Sequence, residues 1–223
     1  MRRFAVISVR FGSARRWFAI LVLSLLTALS LAIAPAQARN LSATEQTQNL
    51  FVANQETNTI REFSPTGVDL GNFATTGLNV ARGIAFDEHG NLYVANAGDN
   101  TIREFSRTGE DLGNFATTGF IFPALIAFDK RGNLYVTNVG GNTIREFSPT
   151  GGDLGDFATT GLSVPVGVAF DKHGNLYVSN RGDGTIREFS PSGADLGYFA
   201  TTGMTTPVGL AFSPEPDDQN GDG

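Results

Sequence analysis

The chain contains no cysteine, only two histidines, and a single tryptophan, which lies within the first 38 residues. Because no disulfide can form, the fold must be held together by its core alone. Bases are also scarce over most of the chain. The whole chain has 16 bases and 22 acids, and the first 38 residues hold five of the bases and none of the acids. Residues 39–223 therefore contain 11 bases and 22 acids, which is a net charge of −11. Such a charge repels phosphates, and nucleic acid is therefore not an expected partner.

One long apolar run occurs near the N-terminus. Basic residues between Arg2 and Arg16 precede the run 17–34, and Ala36-Gln37-Ala38 follows it. This order is typical of a cleaved secretory signal, so we predict a signal peptide over residues 1–38 and a linker over 39–48. An uncleaved anchor is the alternative, since about 20 apolar residues span a bilayer. With the signal removed, we expect a secreted or periplasmic protein that does not contact the membrane.

The rest of the chain repeats itself every 42 residues. Each copy is anchored by an asparagine and an apolar triplet, as in Asn91 followed by Leu92-Tyr93-Val94. One copy contains four strand-like segments separated by glycine-containing turns: 83–86, 91–96, 101–105 and 111–117. Repeats of this length, each rich in strand signals, are typical of β-propeller blades. We therefore predict an all-β fold, a β-propeller of four four-stranded antiparallel blades over residues 49–213.

The chain enters and leaves the repeat at different points. The first copy begins at a second strand, Leu50-Phe51-Val52, whereas the last copy ends on a first strand, 208–212. The C-terminal strand is predicted to pair with the N-terminal three and to complete a fourth blade, which removes the open sheet edges. The same join between two chains gives an eight-bladed homodimer, so a monomer and this dimer remain alternatives. Twelve repeating phenylalanines, Phe147 among them, are expected to form the core between blades.

Three motifs recur along the copies. They are Gly-Asn-Leu-Tyr-Val-x-Asn at 132–138, Asn-Thr-Ile-Arg-Glu-Phe-Ser at 142–148 and Pro-x-Gly-x-Ala-Phe-Asp at 165–171. This pattern resembles the NHL-repeat β-propeller family over residues 49–213, here as a bacterial, exported chain with four copies where relatives usually have six or seven. The resemblance implies a protein- or RNA-binding module, a sensor domain, or a metal-dependent lactonase or lyase. RNA binding in that family depends on a basic face, which this acidic chain lacks.

Differences between the copies gather in the second turn of each copy and in the link between copies. Alternate connections of an up-and-down sheet fall on one rim, so these two variable sets share a face, and loops on a rigid scaffold are where binding usually resides. The candidate contact residues are Arg82, Asp99, Phe120, Phe122, Arg181 and Asp183. Alternatively, the two phenylalanines pack beneath the loop. The residues favour a binding module for an unknown protein or small ligand over an enzyme.

Charged residues also recur within the strands. Arg103 precedes Glu104, and the same pair occupies the third strand of every copy. Because neighbouring residues on a strand point to opposite faces, each blade can offer an arginine to one neighbour and a glutamate to the other. We therefore predict a closed set of ion pairs between adjacent blades.

The first turn of the copies supplies few candidates for catalysis. Asp87, Asp129 and Asp171 stand in an Asp-x-x-Gly setting, which predicts side chains that cap the turn. His89 and His173 share one turn position that holds arginine in the third copy, so a solvated turn is expected there. These patterns predict no catalytic residue.

The last ten residues, 214–223, are acidic and are predicted to be disordered. Asp218, Asn220 and Asp222 have the spacing that opens a calcium loop, but the later ligands of such a loop are missing. Calcium is the one cofactor that these residues suggest. Two alternatives to the binding module remain: a calcium-dependent propeller hydrolase or lyase of the lactonase type, and a truncated fragment of a longer repeat protein.

Overall fold

The computed structural model describes residues 48–213. The predicted signal peptide, nearly all of the linker, and the tail with Asp218, Asn220 and Asp222 lie outside the described residues. Within them, no helix is long and apolar enough to cross a membrane. The elements are β1 (Leu50–Asn54), β2 (Thr59–Phe63), β3 (Asp69–Ala74), β4 (Ala81–Phe86), β5 (Leu92–Asn96), β6 (Thr101–Phe105), β7 (Asp111–Ala116), β8 (Pro123–Phe128), β9 (Leu134–Asn138), a 3-10 turn (Val139–Gly141), β10 (Thr143–Phe147), β11 (Asp153–Ala158), β12 (Pro165–Phe170), β13 (Leu176–Asn180), β14 (Thr185–Phe189) and β15 (Asp195–Ala200).

These strands form four antiparallel sheets in chain order. Three sheets have four strands each, β4 to β7, β8 to β11 and β12 to β15, and the N-terminal sheet has only β1 to β3. In each sheet every strand pairs with its neighbours in sequence. The all-β blade architecture predicted from the repeat is confirmed, because three successive repeats each fold into one four-stranded antiparallel sheet and the N-terminal part forms a three-stranded one.

Turn chemistry ends the strands where the repeat predicts. Asp129 Oδ1 accepts hydrogen bonds from the backbone N–H of Arg131 (2.8 Å) and of Asn133 (2.9 Å). Gly132 closes this turn at a φ of +83°, a conformation that costs glycine little. The predicted capping role of these aspartates is confirmed. The same bonds form at Asp87 and Asp171, and His89 and His173 are exposed residues of those two turns.

The core lies mainly on the second and third strands of the sheets. Phe105, Phe147 and Phe189 on the third strands are fully buried, together with the leucines and valines of the second strands β5, β9 and β13. The phenylalanines of the first and fourth strands are less buried. They flank an aromatic ring of the second strand edge-on. The flanking pairs surround Phe51 (Phe73, Phe86), Tyr93 (Phe115, Phe128), Tyr135 (Phe157, Phe170) and Tyr177 (Phe199, Phe212), all with ring centroids 4.8–5.0 Å apart. In each set of parentheses the second phenylalanine belongs to the next repeat, so these ring contacts join consecutive repeats.

First strands of consecutive sheets lie side by side, β4 against β8 and β8 against β12. The approach is close enough that a Cβ added at Gly83 would overlap the carbonyl oxygen of Ala124. A side-chain hydroxyl adds a further link between sheets, since Thr137 Oγ1 donates to the Val166 carbonyl over 2.9 Å. The close approach of the first strands and this hydrogen bond fix how each sheet is placed against the next.

The predicted pairing of the C-terminal strand with the N-terminal blade is not formed. Residues 207–212 contain no assigned strand, and no backbone hydrogen bond among residues 48–213 joins them to β1. The C-terminal segment packs on the fourth sheet as each earlier first strand packs on the sheet before it. Its Phe212 packs on Tyr177 with ring centroids 5.0 Å apart, as Phe170 packs on Tyr135. Packing on the fourth sheet is thus formed, whereas the backbone pairing with β1, which depends on the spacing between the first and fourth sheets, is not.

Candidate functional site

The two variable sets of loops lie together, as expected. We call this surface the link face: the links 75–80, 117–122, 159–164 and 201–206, with the second turns 55–58, 97–100, 139–142 and 181–184. Backbone bonds join a link to the second turn of the same repeat. Gly140 N donates to Ile121 O over 2.8 Å, and Gly182 N donates to Ser163 O over 3.0 Å. The first three links of this face are thus hydrogen-bonded to the second turns beside them.

An asparagine at the end of each complete second strand holds the link of its own sheet. Asn138 Nδ2 donates to the Gly119 carbonyl (3.1 Å), and Asn138 Oδ1 accepts from the Ile121 N–H (2.6 Å). Asn96 and Asn180 do the same in their sheets. Each of these side chains is buried. The position of the link backbone is therefore set by an amide that water cannot easily replace.

A second asparagine, which belongs to the preceding sheet, also binds the link. Asn100 Oδ1 accepts from the Phe122 N–H over 2.6 Å, and the same bond reaches Val80 from Asn58 and Val164 from Asn142. The three acceptor and three donor residues all have positive φ, between 49° and 60°. This conformation is strained for valine and phenylalanine, at a cost of order 1–3 kcal/mol each. Sequence reasoning missed these bonds, although their constant spacing of 22 residues is a readable signal.

The two candidate phenylalanines of the link face differ in exposure. Phe120 is buried and packs against Phe147, with ring centroids 5.1 Å apart. Phe122 is 40% exposed, and its neighbour Ile121 is 59% exposed. Phe120 therefore packs in the core beneath the loop, as the alternative interpretation expected of both phenylalanines. Phe122 instead exposes part of its ring at the surface.

Arg82 stacks on Phe122, and Arg181 lies near enough to Arg82 for its charge to be felt there. The guanidinium carbon of Arg82 lies 4.3 Å from the centroid of the Phe122 ring, a cation–π contact. Burial lowers the pKa of Arg82, and the charge of nearby Arg181 lowers it further. Arg82 Nε is buried and has no hydrogen-bond partner in the described part of the chain. Neither arginine forms an ion pair with an acid of residues 48–213.

The two candidate aspartates serve their own turns. Asp99 Oδ1 accepts a hydrogen bond from Thr101 Oγ1 over 3.0 Å, and Asp183 Oδ1 accepts one from Thr185 Oγ1 over 2.7 Å. Both aspartates are exposed. Neither aspartate forms an ion pair with Arg82 or Arg181.

The predicted ion pairs between adjacent blades are wrong. Arg103 binds Asp111 of its own sheet, with Nε and one terminal nitrogen each 2.7 Å from a carboxylate oxygen. Register shifts on both sides of Arg103-Glu104 bring Asp111 and Asn114 within reach of the same guanidinium. The hydrogen bonds that Arg103 donates to Asp111 raise the pKa of Arg103. Equivalent pairs are Arg61–Asp69, Arg145–Asp153 and Arg187–Asp195, at a constant spacing of eight residues.

The glutamates are also engaged within their sheets. Glu146 Oε1 accepts hydrogen bonds from the Tyr135 hydroxyl (2.7 Å) and from Asn133 Nδ2 (3.1 Å). Glu104 and Glu188 have the same two partners in their sheets. The recurrence of this group in successive repeats marks it as part of the scaffold.

The opposite face carries a groove of about 360 Å³ between the third and fourth sheets. The turn residues Asp129 and Asp171 line it, with Lys130, His173 and the ring of Tyr135. Both carboxylates already cap their turns through the bonds described above. Across residues 48–213, no group of three or more histidine, aspartate or glutamate side chains is arranged to hold a metal ion.

Comparisons with known proteins bear on the fold. No protein-family model and no curated protein matches the chain. Among solved structures, the nidogen/laminin complex matches with a TM-score of 0.67 and 22% identity, over 74% of this chain and 66% of that one. Virginiamycin B lyase from Staphylococcus aureus matches in two structures, one of a catalytically inactive variant with quinupristin, at TM-scores of 0.59 and 0.62 and identities of 16% and 17%. Both cover 75% of this chain and 57% of that one.

These likenesses show a β-propeller fold. At such identities they carry no assignment of activity, and one similar structure is a binding complex while the other is a lyase. This chain spans less than two thirds of the length of each matched chain. The four sheets therefore correspond to part of the propeller chains they resemble.

Proposed function

We propose that the protein is an exported binding module, and that the link face around Arg82, Arg181 and Phe122 is its contact surface. Its partner, a protein or a small ligand, carries an acidic group beside an apolar group. Export follows from the predicted signal peptide over residues 1–38. The observation that carries the proposal is Arg82, which stacks on the exposed ring of Phe122 while its buried Nε has no hydrogen-bond partner among residues 48–213. Arg181 lies nearby, and neither arginine pairs with an acid of those residues.

The electrostatics of this site support an acidic partner group. The chain beyond residue 38 is strongly acidic, yet two guanidinium groups approach each other closely enough for one charge to lower the pKa of the other. A bound carboxylate or sulfonate would remove that repulsion and would supply an acceptor for Arg82 Nε. Hydrogen bonds between charged groups are the stronger class, at about 1.5–3 kcal/mol each.

Comparison among the repeats separates this site from the scaffold. The position of Arg82 holds Ala124 and Val166 in the next two repeats, and the position of Arg181 holds Ala97 and Val139. The fold thus tolerates small apolar residues at both places. The arginines are therefore not required by the repeat, which is expected of residues that serve a contact.

A fluorescence titration tests the proposal. The probe is 8-anilinonaphthalene-1-sulfonate, which joins an anionic group to an aromatic body, and the matched uncharged probe is N-phenyl-1-naphthylamine. We expect Arg82→Ala and Arg181→Ala each to weaken binding of the sulfonate by roughly tenfold or more, because a charged hydrogen bond is lost. The uncharged probe should bind these variants and the unaltered protein alike.

Arg131→His is the control, since it removes a charge on the opposite face and introduces the residue that two other repeats carry there. Binding of the sulfonate should not change in this variant. Equal affinity of the sulfonate for the unaltered protein and both arginine variants would overturn the proposal.

A further inference from the structure

Strand β1 has an open edge. It pairs only with β2, whereas the equivalent strands β5, β9 and β13 are paired on both sides. Leu50 is 62% exposed and Val52 is 36% exposed, although the equivalent Leu92 and Val94 are fully buried. An unpaired edge that displays apolar side chains is a template for another strand.

The segment 207–212 has the sequence of the missing strand. It reads Pro-Val-Gly-Leu-Ala-Phe, and β12 reads Pro-Val-Gly-Val-Ala-Phe. Its place beside the fourth sheet is already set by two contacts. Ser179 Oγ donates to the Val208 carbonyl over 2.9 Å, as Thr137 Oγ1 does to the Val166 carbonyl, and Phe212 packs on Tyr177. The segment is a first strand that lacks the other three strands of its sheet.

Asn54 identifies the link that belongs to the open edge. The equivalent asparagines at the ends of β5, β9 and β13 each hold a link through both atoms of the amide. Asn54, at the end of β1, has one side-chain hydrogen bond among residues 48–213, to Thr59 Oγ1 over 3.3 Å. By the spacing of the repeat, its missing partners are the Gly203 carbonyl and the Thr205 N–H of the fourth link.

The fourth link also lacks the hydrogen bond that the first three links make with an asparagine of the preceding sheet. Asn58, Asn100 and Asn142 hold the first three links, but Gly184 takes their place in the last repeat and supplies no side chain. The first three links end on residues with positive φ, and Thr206, at the equivalent position, is not among them. The fourth link therefore lacks both of the amide bonds that hold the others.

We propose that a second copy of this chain completes the open edge. Segment 207–212 of each copy pairs with β1 of the other, which forms two composite four-stranded sheets and closes eight sheets into one two-fold ring. The register follows the other sheets, where Ile84 lies opposite Val94 and Phe86 lies opposite Leu92. Leu210 then lies opposite Val52 of the other copy, and Phe212 opposite Leu50.

One chain contains both halves of the composite sheet, and each half packs on the complete sheet next to it. The ring of Phe51 packs on Phe86 of the second sheet, and Phe212 packs on Tyr177 of the fourth. With both halves seated in this way, they remain unpaired in the single chain. In a two-fold pair of chains, β1 to β3 of each chain pair with segment 207–212 of the other, so neither copy of β1 keeps an open edge. This inference is independent of the proposed binding function.

Cysteine trapping tests the inference in a chain that has no cysteine of its own. Val52→Cys and Leu210→Cys are made in separate chains, the chains are mixed under denaturing conditions, refolded and oxidised. We expect a disulfide-linked pair of one chain of each kind. Val52→Cys with Gly209→Cys is the control, because neighbouring strand positions point to opposite faces and should not crosslink.

The double variant Val52→Cys with Leu210→Cys separates the alternatives. A two-fold ring gives a covalent species of twice the chain mass after oxidation. A species of single chain mass with an internal disulfide would show closure within one chain and would overturn the inference, as would the absence of any disulfide.

Asn54→Ala gives a second, independent readout. It should weaken association of the two copies by roughly tenfold or more, because two hydrogen bonds are lost in each composite sheet. Gln55→Ala, an exposed neighbour that has alanine at the equivalent position of the second repeat, should leave association unchanged. Equal association constants for the two variants would contradict the assigned role of Asn54.

Discussion

The Tyr135 hydroxyl donates a 2.7 Å hydrogen bond to the Glu146 carboxylate, directly across one pair of strands. The same bond joins Tyr93 to Glu104 and Tyr177 to Glu188. Burial, followed by the hydrogen bond and charge of the glutamate, raises the pKa of Tyr177 to about 12. The pKa of Tyr93 and that of Tyr135 are raised further, again chiefly by burial. Burial, assisted by the glutamate, thus keeps each phenol in its protonated form.

Alkaline pH should destabilise the fold through these tyrosines. In the unfolded chain a tyrosine loses its proton near its ordinary pKa of 10.0, while folded Tyr177 keeps its proton up to about pH 12. The folded state then binds more protons, so the free energy of unfolding falls as pH rises through this window. Tyr177→Phe should make the fall less steep. Urea unfolding from pH 9 to about pH 12 measures it, and an unchanged slope would contradict the assignment.

Acid pH should act through the Arg–Asp pairs. The hydrogen bond from Arg103 holds the pKa of Asp111 below its ordinary value of 3.8. This carboxylate therefore stabilises the fold above that value, and the contribution is lost as pH falls through the folded pKa. Asp111→Asn should lose less of its free energy of unfolding between about pH 5 and pH 2 than the unaltered protein does. The control Glu110→Gln, at the exposed residue beside it, should follow the unaltered protein.

The strained links should depend on their asparagines. Asn142→Gly keeps the left-handed backbone (φ 51°) but removes the acceptor for the Val164 N–H, now 2.7 Å away. We expect the free energy of unfolding to fall by about 1–2 kcal/mol, from the lost hydrogen bond and the greater freedom of glycine in the unfolded chain. Asn142→Asp retains an acceptor and should cost less. Equilibrium unfolding in urea compares the two variants, and equal losses would argue against the bond.

The third-strand phenylalanines should dominate stability. Phe147 is fully buried, so Phe147→Ala should cost about 3–5 kcal/mol through lost apolar burial and the cavity left behind. Phe199 is 60% exposed on a fourth strand, and Phe199→Ala should cost about 1 kcal/mol or less. Calorimetric melting of both variants tests this order. Comparable losses would show that the core is placed incorrectly.

The repeat predicts the strands well because turn chemistry and alternation are local properties. The segments expected at 91–96 and 101–105 match β5 and β6 to within one residue. The partner of Arg103 could not be predicted in the same way, since it depends on two register shifts that move Asp111 into reach. Alternation alone places arginine and glutamate on opposite faces and says nothing about such irregularities.

The candidate site could be predicted only in part. Alternation of the connections correctly brings the links and second turns to one face, yet it does not separate Phe120, which is buried, from Phe122, which is exposed. That difference depends on how one link backbone turns at a positive φ under the hold of Asn100. Closure escapes prediction for a related reason, because the step from one sheet to the next is set by packing between sheets.

The native mass of the protein tests the central claim most directly, that two half-sheets are completed by a second chain. Native mass spectrometry gives the mass of the assembly, and the same sample under denaturing conditions gives the mass of the chain, so the ratio does not depend on processing of the N-terminus. We predict a ratio of two, which Asn54→Ala shifts toward one. A ratio of one for the unaltered protein at every concentration measured would contradict the account.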